Sequence, residues 1–171
     1  QEALIDGLIQ LNWRDQPERQ LHSLLKALEQ QARSELPAAQ WLPRRERLDA
    51  LLDQATLPLS WQALASLEND DDALLAKAAK TLLGGSPLTA HLVWEQIRRA
   101  RHLSLAQVFQ MEYGMSLNCC RHPEFAEGVR ARLIDKDHAP HWHWPDVNHV
   151  PEQVIAAHFA PPDDHPLADL T

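Results

Sequence analysis

Strand-forming residues are scarce in this chain: Val, Ile and Thr total 15 of 171 residues, whereas Leu and Ala together number 51. β-branched side chains favour strands, and straight-chain or small ones favour helix, so a sheet is excluded and an all-α fold is expected. Glycine is nearly as rare, with five residues, which leaves little for strand bulges and tight turns. Positive charge is the minority sign: 16 Lys and Arg stand against 24 Asp and Glu, a formal net charge of −8. Nucleic acid needs a basic face to meet its phosphates and is not expected as a partner. No apolar run reaches the roughly 18 residues of a membrane span, and no signal peptide is visible, so neither membrane insertion nor secretion is expected. Cysteine is limited to the adjacent Cys119 and Cys120. Neighbours on a helix point about 100° apart, so neither a disulfide nor a metal clip follows, and buried thiols in a reducing interior are expected.

What the chain does hold is helix punctuation. The run Ala3 to Leu11 already has helical spacing, with no capping residue before it, and Gln1 is no initiator Met. A piece of a longer chain is therefore expected. Pro17 suits the first position of a helix running to about Ser34, with Leu21, Leu24, Leu25 and Leu28 as its apolar stripe. Shorter helices are predicted over 44–54 and over 61–67, the second capped by Ser60. The acidic run Glu68 to Asp72 reads as a solvated helix start. Asp71 or Asp72 caps the helix 73–83, and Gly84-Gly85 is expected to end it in a left-handed turn. Ser86-Pro87 opens a helix to about His102, and Ser104 caps the next. On that helix the only polar line is Gln107, Gln110, Gly114, Asn118 and Arg121. The sequence thus predicts a narrow wet strip on a helix otherwise covered on several sides. Pro123 starts a further helix with Phe125, Val129 and Leu133 at four-residue spacing as its buried stripe. A loop rich in Pro, His and Trp follows Asp137, then a last helix near 151–159.

Specific chemistry is thin. His138, His141, His143 and His149 crowd the loop in a spacing that could hold zinc. With Trp142 and Trp144 anchoring the loop, the histidines are better read as facing water, and no metal is expected. There is no G-x-S-x-G and no candidate strand, which excludes a serine-hydrolase nucleophile elbow. Glu112 lies on the very apolar helix and is expected to pair with an arginine. Gly114 and Gly128, each inside a predicted helix, point to close approach of another backbone. Arg130, Arg132 and Lys136 make the one basic cluster. They could meet an anionic ligand such as phosphate, or pair locally with Glu127, Asp135 and Asp137.

The stretch from Glu124 to Trp142, EFAEGVRARLIDKDHAPHW, carries the most information. Phe125, Glu127 to Ala131, Leu133 to Asp137, Pro140 and Trp142 resemble the C-terminal signature of the 3-hydroxyisobutyryl-CoA hydrolases of the crotonase superfamily. The likeness extends over Gly84 to Leu170, through Gly85-Ser86-Pro87, Leu103 to Gln107, Met111-Glu112-Tyr113, Asp146-Val147 and His165-Pro166-Leu167. It implies a helical connector over residues 1–83 and a C-terminal helical region over 84–171, with the signature at 124–142. The catalytic α/β core would be absent from this chain, so no catalytic residue can be carried over. The implied function is the helical part of an acyl-CoA thioester hydrolase of valine breakdown, covering the core and supporting a homo-oligomer, with the same region of an enoyl-CoA hydratase or isomerase as the alternative. A stand-alone helical interaction module is the competing class. No separate cofactor is implied, because coenzyme A is part of the substrate. Related crotonases touch the coenzyme A of a neighbouring subunit with an aromatic residue and a lysine from this terminal helix. Here Arg132 stands at the aromatic position, and the lysine falls at Asp135 or, shifted by one, Lys136. Taken with the basic cluster, this makes Lys136, Arg130 and Arg132 the candidate coenzyme A contacts. The implied compartment is the cytoplasm, or the mitochondrial matrix in a eukaryote.

Overall fold

The computed structural model describes residues 2–170, and among them it contains nine α-helices and no strand. The all-α expectation holds. The chain forms two compact units, residues 1–46 and 47–171. The break therefore falls inside the stretch 1–83 that the sequence groups as one region.

In the first unit, α1 (Glu2–Gln10) and α2 (Pro17–Ala32) pack against each other. Pro17 takes the first helical turn, as its fixed φ favours. The helices approach closely at Gly7, where an added Cβ would lie 2.6 Å from a Leu24 methyl. Any larger residue there must displace the Leu24 side chain. Neither helix buries a residue fully, so the leucine stripe of α2 stays half-exposed.

The second unit builds two apolar clusters. In the first, Leu67, Leu75 and Ala79 pack with Leu48, Leu51 and Leu64. These come from α3 (Arg45–Leu52), α4 (Leu57–Ala65), the 3-10 turn Ser66–Asn69 and α5 (Ala73–Leu83). Asp72 caps α5 by accepting from the N–H groups of Leu74 and Leu75, and Asp70 of the same acidic run forms a two-pronged pair with Arg47. Two expectations fail here. Helix α4 starts at Leu57 behind Thr56, because Pro58 is tolerated in a first turn. Ser60 is therefore inside the helix, buried, with its hydroxyl donating to Leu52 O. Gly84 ends α5 at φ −83, and no described glycine has positive φ, so the helix stops without a left-handed residue.

The second cluster joins Leu88, Leu92, Trp144, Val150 and Ile155, flanked by Met115, Cys119, Val154 and Phe159. Its walls are α6 (Pro87–Ala100), α7 (Leu105–Arg121) and α9 (Glu152–His158). Ser86 caps α6, and Ser104 with Gln107 forms a reciprocal capping box on α7. Arg99 lies 4.1 Å over the Phe159 ring, a cation–π contact tying α6 to the end of α9.

The middle of the predicted wet strip of α7, Gln110, Gly114 and Asn118, in fact faces inward, while Gln107 and Arg121 at its ends are exposed. The Gln110 amide donates to Leu167 O at 2.9 Å and reaches Ala168 O and Leu170 O. The Asn118 amide reaches the carbonyls of Ala157, His158 and Ala160 at 3.0–3.3 Å. Gly114 is buried, and a Cβ there would stand 3.4 Å from Ala160 O. The apolar residues Leu105, Phe109 and Tyr113, one turn apart, are the ones that face outward.

Candidate functional site

The signature stretch begins as α8 (Pro123–Val129) and continues as a π turn over Arg130–Ile134. Asp135 N–H bonds to Arg130 O at 2.8 Å, the five-residue step of a π turn. That extra residue per turn rotates Leu133 away from simple helical spacing, and Phe125, ahead of the turn, lies on the outward side of α8, so the predicted buried stripe is corrected. Phe125 is 52% and Leu133 68% exposed, whereas Glu124 and Ala131 are buried. Glu124 is tolerable inside because its carboxylate accepts from the Ser86 hydroxyl and from His143 N–H at 2.7 Å. Its burial ties the start of α8 to the cap of α6 and to the following loop.

Trp142 anchors that loop. Its indole N–H donates to Gly84 O at 3.1 Å, and its ring lies against Gly128, where a Cβ would sit 3.4 Å from the ring edge. The close approach expected at Gly128 is thus to a side chain and not to a backbone. Between α6, the end of α7, α8 and Trp142 lies a cavity of about 500 Å³. Leu88, Leu92, Phe125 and Val129 give it an apolar lining, with Arg132 and Leu133 also on its wall.

Arg130 is the hub of the segment. Its Nε donates to Glu127 Oε2 at 2.9 Å, and Nη2 reaches Glu127 Oε1 at 2.8 Å and Ala139 O at 3.1 Å. Nη1 donates to Asp135 at 2.7 Å and to Asp137 at 2.6 Å. A guanidinium has five N–H donors, and all five are used. Glu127 also accepts His141 N–H at 2.6 Å. The Arg130 hydrogen bonds, helped by that backbone donor, hold the Glu127 carboxyl down at about 2. The same guanidinium, with Ala139 N–H, holds Asp137 below the ordinary carboxylate range, and Arg130 is itself pushed further toward its charged form. The turn so fixed has two non-glycine residues in left-handed backbone, Lys136 at φ 56 and His138 at φ 55. Each such residue costs on the order of 1 kcal/mol or more, offset here by the converging bonds to Arg130.

The three basic candidates therefore separate. Arg130 has every N–H engaged in this arrangement, where its guanidinium shapes the turn. Arg132 and Lys136 are exposed, and neither has a partner among the described residues. Both aspartates beside Lys136 turn their carboxylates to Arg130, which leaves its ammonium as the uncompensated charge of the turn. The Glu127–Arg130 spacing was readable as a helical pair, but the reach to Asp137 and Ala139 depends on the turn's geometry.

Elsewhere, Glu112 takes its hydrogen bond from the Gln96 amide at 2.7 Å, where an arginine was expected. His141 and His149 lie beside Glu127 and Asp146, and among the described residues no three His, Cys, Asp or Glu side chains are grouped to hold a metal ion. Cys119 and Cys120 are both unbridged, and burial pushes the Cys119 thiol up, toward its neutral form. Among the described residues no helix is long and apolar enough to cross a membrane.

Comparisons with known proteins agree with this geometry. The family described as enoyl-CoA hydratase/isomerase matches residues 1–159. The mitochondrial 3-hydroxyisobutyryl-CoA hydrolase of Danio rerio is 35% identical over 122 residues, which is 71% of this chain and 31% of that protein. The chain thus spans about a third of that relative's length. An enoyl-CoA hydratase from Rhodobacter sphaeroides 2.4.1 superimposes with a TM-score of 0.62 at 30% identity, covering 85% of this chain and 43% of the other. A carnitinyl-CoA dehydratase from Mycobacterium thermoresistibile gives 0.68 at 25% identity, covering 94% and 43%. With the family match running through both compact units and the signature turn, this chain belongs to the enoyl-CoA hydratase/isomerase family.

Proposed function

We infer that this chain is the helical part of an acyl-CoA thioester hydrolase, acting on 3-hydroxyisobutyryl-CoA in valine breakdown. In that reading the helices cover a catalytic core and support a homo-oligomer. Lys136 and Arg132 meet the phosphates of coenzyme A, and no separate cofactor is required. The cytoplasm, or the matrix of a mitochondrion, is the compartment that fits. The observation that carries the ligand role is the Lys136 turn. In a chain of net charge −8, Arg130 occupies the two flanking aspartates and leaves one flexible ammonium exposed, suited to a phosphate as a point charge. The likeness to a 3-hydroxyisobutyryl-CoA hydrolase supports the reaction.

The test uses the full-length protein and 3-hydroxyisobutyryl-CoA, following release of the free thiol. Turnover above about 1 s⁻¹ is expected, the low end for ordinary enzymes. Lys136→Ala is expected to raise KM several-fold with little change in kcat, the behaviour of a contact made equally in ground and transition states. Unchanged KM at low and high salt removes the coenzyme A role from Lys136. The second reading is hydration of an enoyl-CoA, favoured by the two solved relatives, a hydratase and a dehydratase. Water addition to an enoyl-CoA without thiol release selects it.

A further inference from the structure

Beyond the coenzyme A reading, the corner between α7 and α8 holds a cluster of titratable rings that the proposed chemistry does not use. His122 both ends α7, its N–H donating to Cys119 O at 3.1 Å, and begins α8, its Nδ1 accepting from Glu124 N–H. Its ring stacks on Trp144 with centroids 5.6 Å apart and stands 5.1 Å from the ring of His158. His158 is only 4% exposed. Its Nδ1 lies 2.8 Å from Val154 O, so that nitrogen carries the hydrogen and donates. The two imidazoles thus have defined neutral tautomers: His122 must keep Nδ1 bare, and His158 must keep Nδ1 protonated.

We propose that His122, packed between Trp144 and His158, is an acid-sensitive latch that holds the start of α8 against the second apolar cluster and opens when its own ring is protonated. A proton arriving at Nδ1 of His122 turns an acceptor into a donor. It would then face Glu124 N–H and the positive end of α8. The charged and titratable groups around His122 come from each neighbouring element. Glu124 of α8 favours the charged form, but its carboxylate is already engaged by Ser86 and His143 N–H. His143 of the loop and His158 of α9 oppose it, Cys119 of α7 is kept toward neutral by burial, and Arg132 shares the cavity wall. Burial first, then His158, outweighs Glu124, so His122 titrates below its ordinary 6.5. The sign follows directly. Between that depressed value and 6.5 the open or unfolded chain binds more protons than the closed one, so the latch is full above 6.5 and weakens as pH falls.

The wall of the cavity goes with the latch, because Phe125, Gly128 and Val129 all lie on α8. The test measures melting temperature and the histidine ring-proton titrations of the intact chain, between about pH 7.5 and about pH 5.5, either side of the ordinary histidine value. His122→Asn retains a capping oxygen without a titratable ring. The wild type is expected to lose melting temperature across this interval, and His122→Asn to lose less than half as much. The His122 ring signal should titrate below 6.5. If the Asn variant fails to fold, His122→Ser, which also keeps a capping oxygen without a titratable ring, provides the same comparison. Equal loss in the wild type and the variant that folds, or titration of His122 at or above 6.5, overturns the latch.

Discussion

At Gly128 a single hydrogen in place of a side chain lets the edge of the Trp142 ring approach α8 while its indole N–H reaches Gly84 O. A methyl at this position meets the indole at 3.4 Å, an ordinary contact. Gly128→Ala should therefore be neutral or stabilising by up to about 1 kcal/mol, the helix-propensity gain. Gly128→Leu must displace Trp142 and is expected to destabilise by about 1–3 kcal/mol, read by urea unfolding. Equal stability of both variants would detach Trp142 from this role. A second residue-scale effect is acid sensitivity of the Arg130 turn. The Glu127 carboxyl is lowered from 4.5 to about 2, chiefly by Arg130 and then by His141 N–H. A depressed carboxyl contributes stability that is complete above its ordinary value and lost as pH falls through the folded one. The turn should hold at pH 4.5 and release toward pH 2, seen as quicker proteolysis after Lys136. Glu127→Gln should give that quicker cleavage already at neutral pH, and a variant as resistant as wild type would contradict it.

Helix α7 shows how an element can have the right bounds and the wrong orientation. Ser104 caps its start as expected, with Gln107 completing the box, yet Gln110, Gly114 and Asn118 of its polar line face inward. The reason lies at the end of α9, where helices leave carbonyls short of regular intrahelical partners and Ala157 O is met only by the N–H groups of Phe159 and Ala160. Asn118 supplies hydrogens to Ala157, His158 and Ala160, and Gln110 supplies them to the tail. Of these residues His158 is the buried one, and a buried carbonyl left unpaired costs about 1–3 kcal/mol. Asn118→Leu is expected to destabilise by that order in denaturant titration and to speed proteolysis after Ala160. Unchanged stability would mean that water satisfies these carbonyls without the amide. The start of α4 tells a related story: Thr56 and Pro58 open it, and the better capping residue Ser60 lies inside, bonded to Leu52 O.

The apolar surface of the whole chain is not fully used in its two units. Leu105 is 71% exposed, with Phe109 and Tyr113 on the same face of α7, and Leu133 and Ile134 are each 68% exposed beside the signature turn. Apolar patches beyond a few hundred Å² are uncommon on monomers and mark sites of contact. The isolated chain is expected to sediment above its 19.4 kDa monomer mass as concentration rises. A strictly monomeric species at high concentration, with no binding of an apolar dye, would count against it. The same surface fits the proposed role of helices that cover another part of a larger protein.

Composition and local spacing by themselves determined the all-α class, most helix starts and the extent of the signature. Scarcity of β-branched residues, prolines in first turns and Ser or Asp caps act within a few residues of chain. The family resemblance was legible for the same reason, because the run from Glu124 to Trp142 is contiguous. Only the tertiary structure decided which faces are inside. It turned the middle of the polar line of α7 toward the carbonyls of α9, buried Glu124 in place of Phe125, and replaced the last turn of the signature helix with a π turn. It also spent every donor of Arg130 on Glu127, Asp135, Asp137 and Ala139, leaving Lys136 exposed. Periodicity reports how polar a face is, but whether that face meets water or an unpaired carbonyl is set by elements distant in sequence.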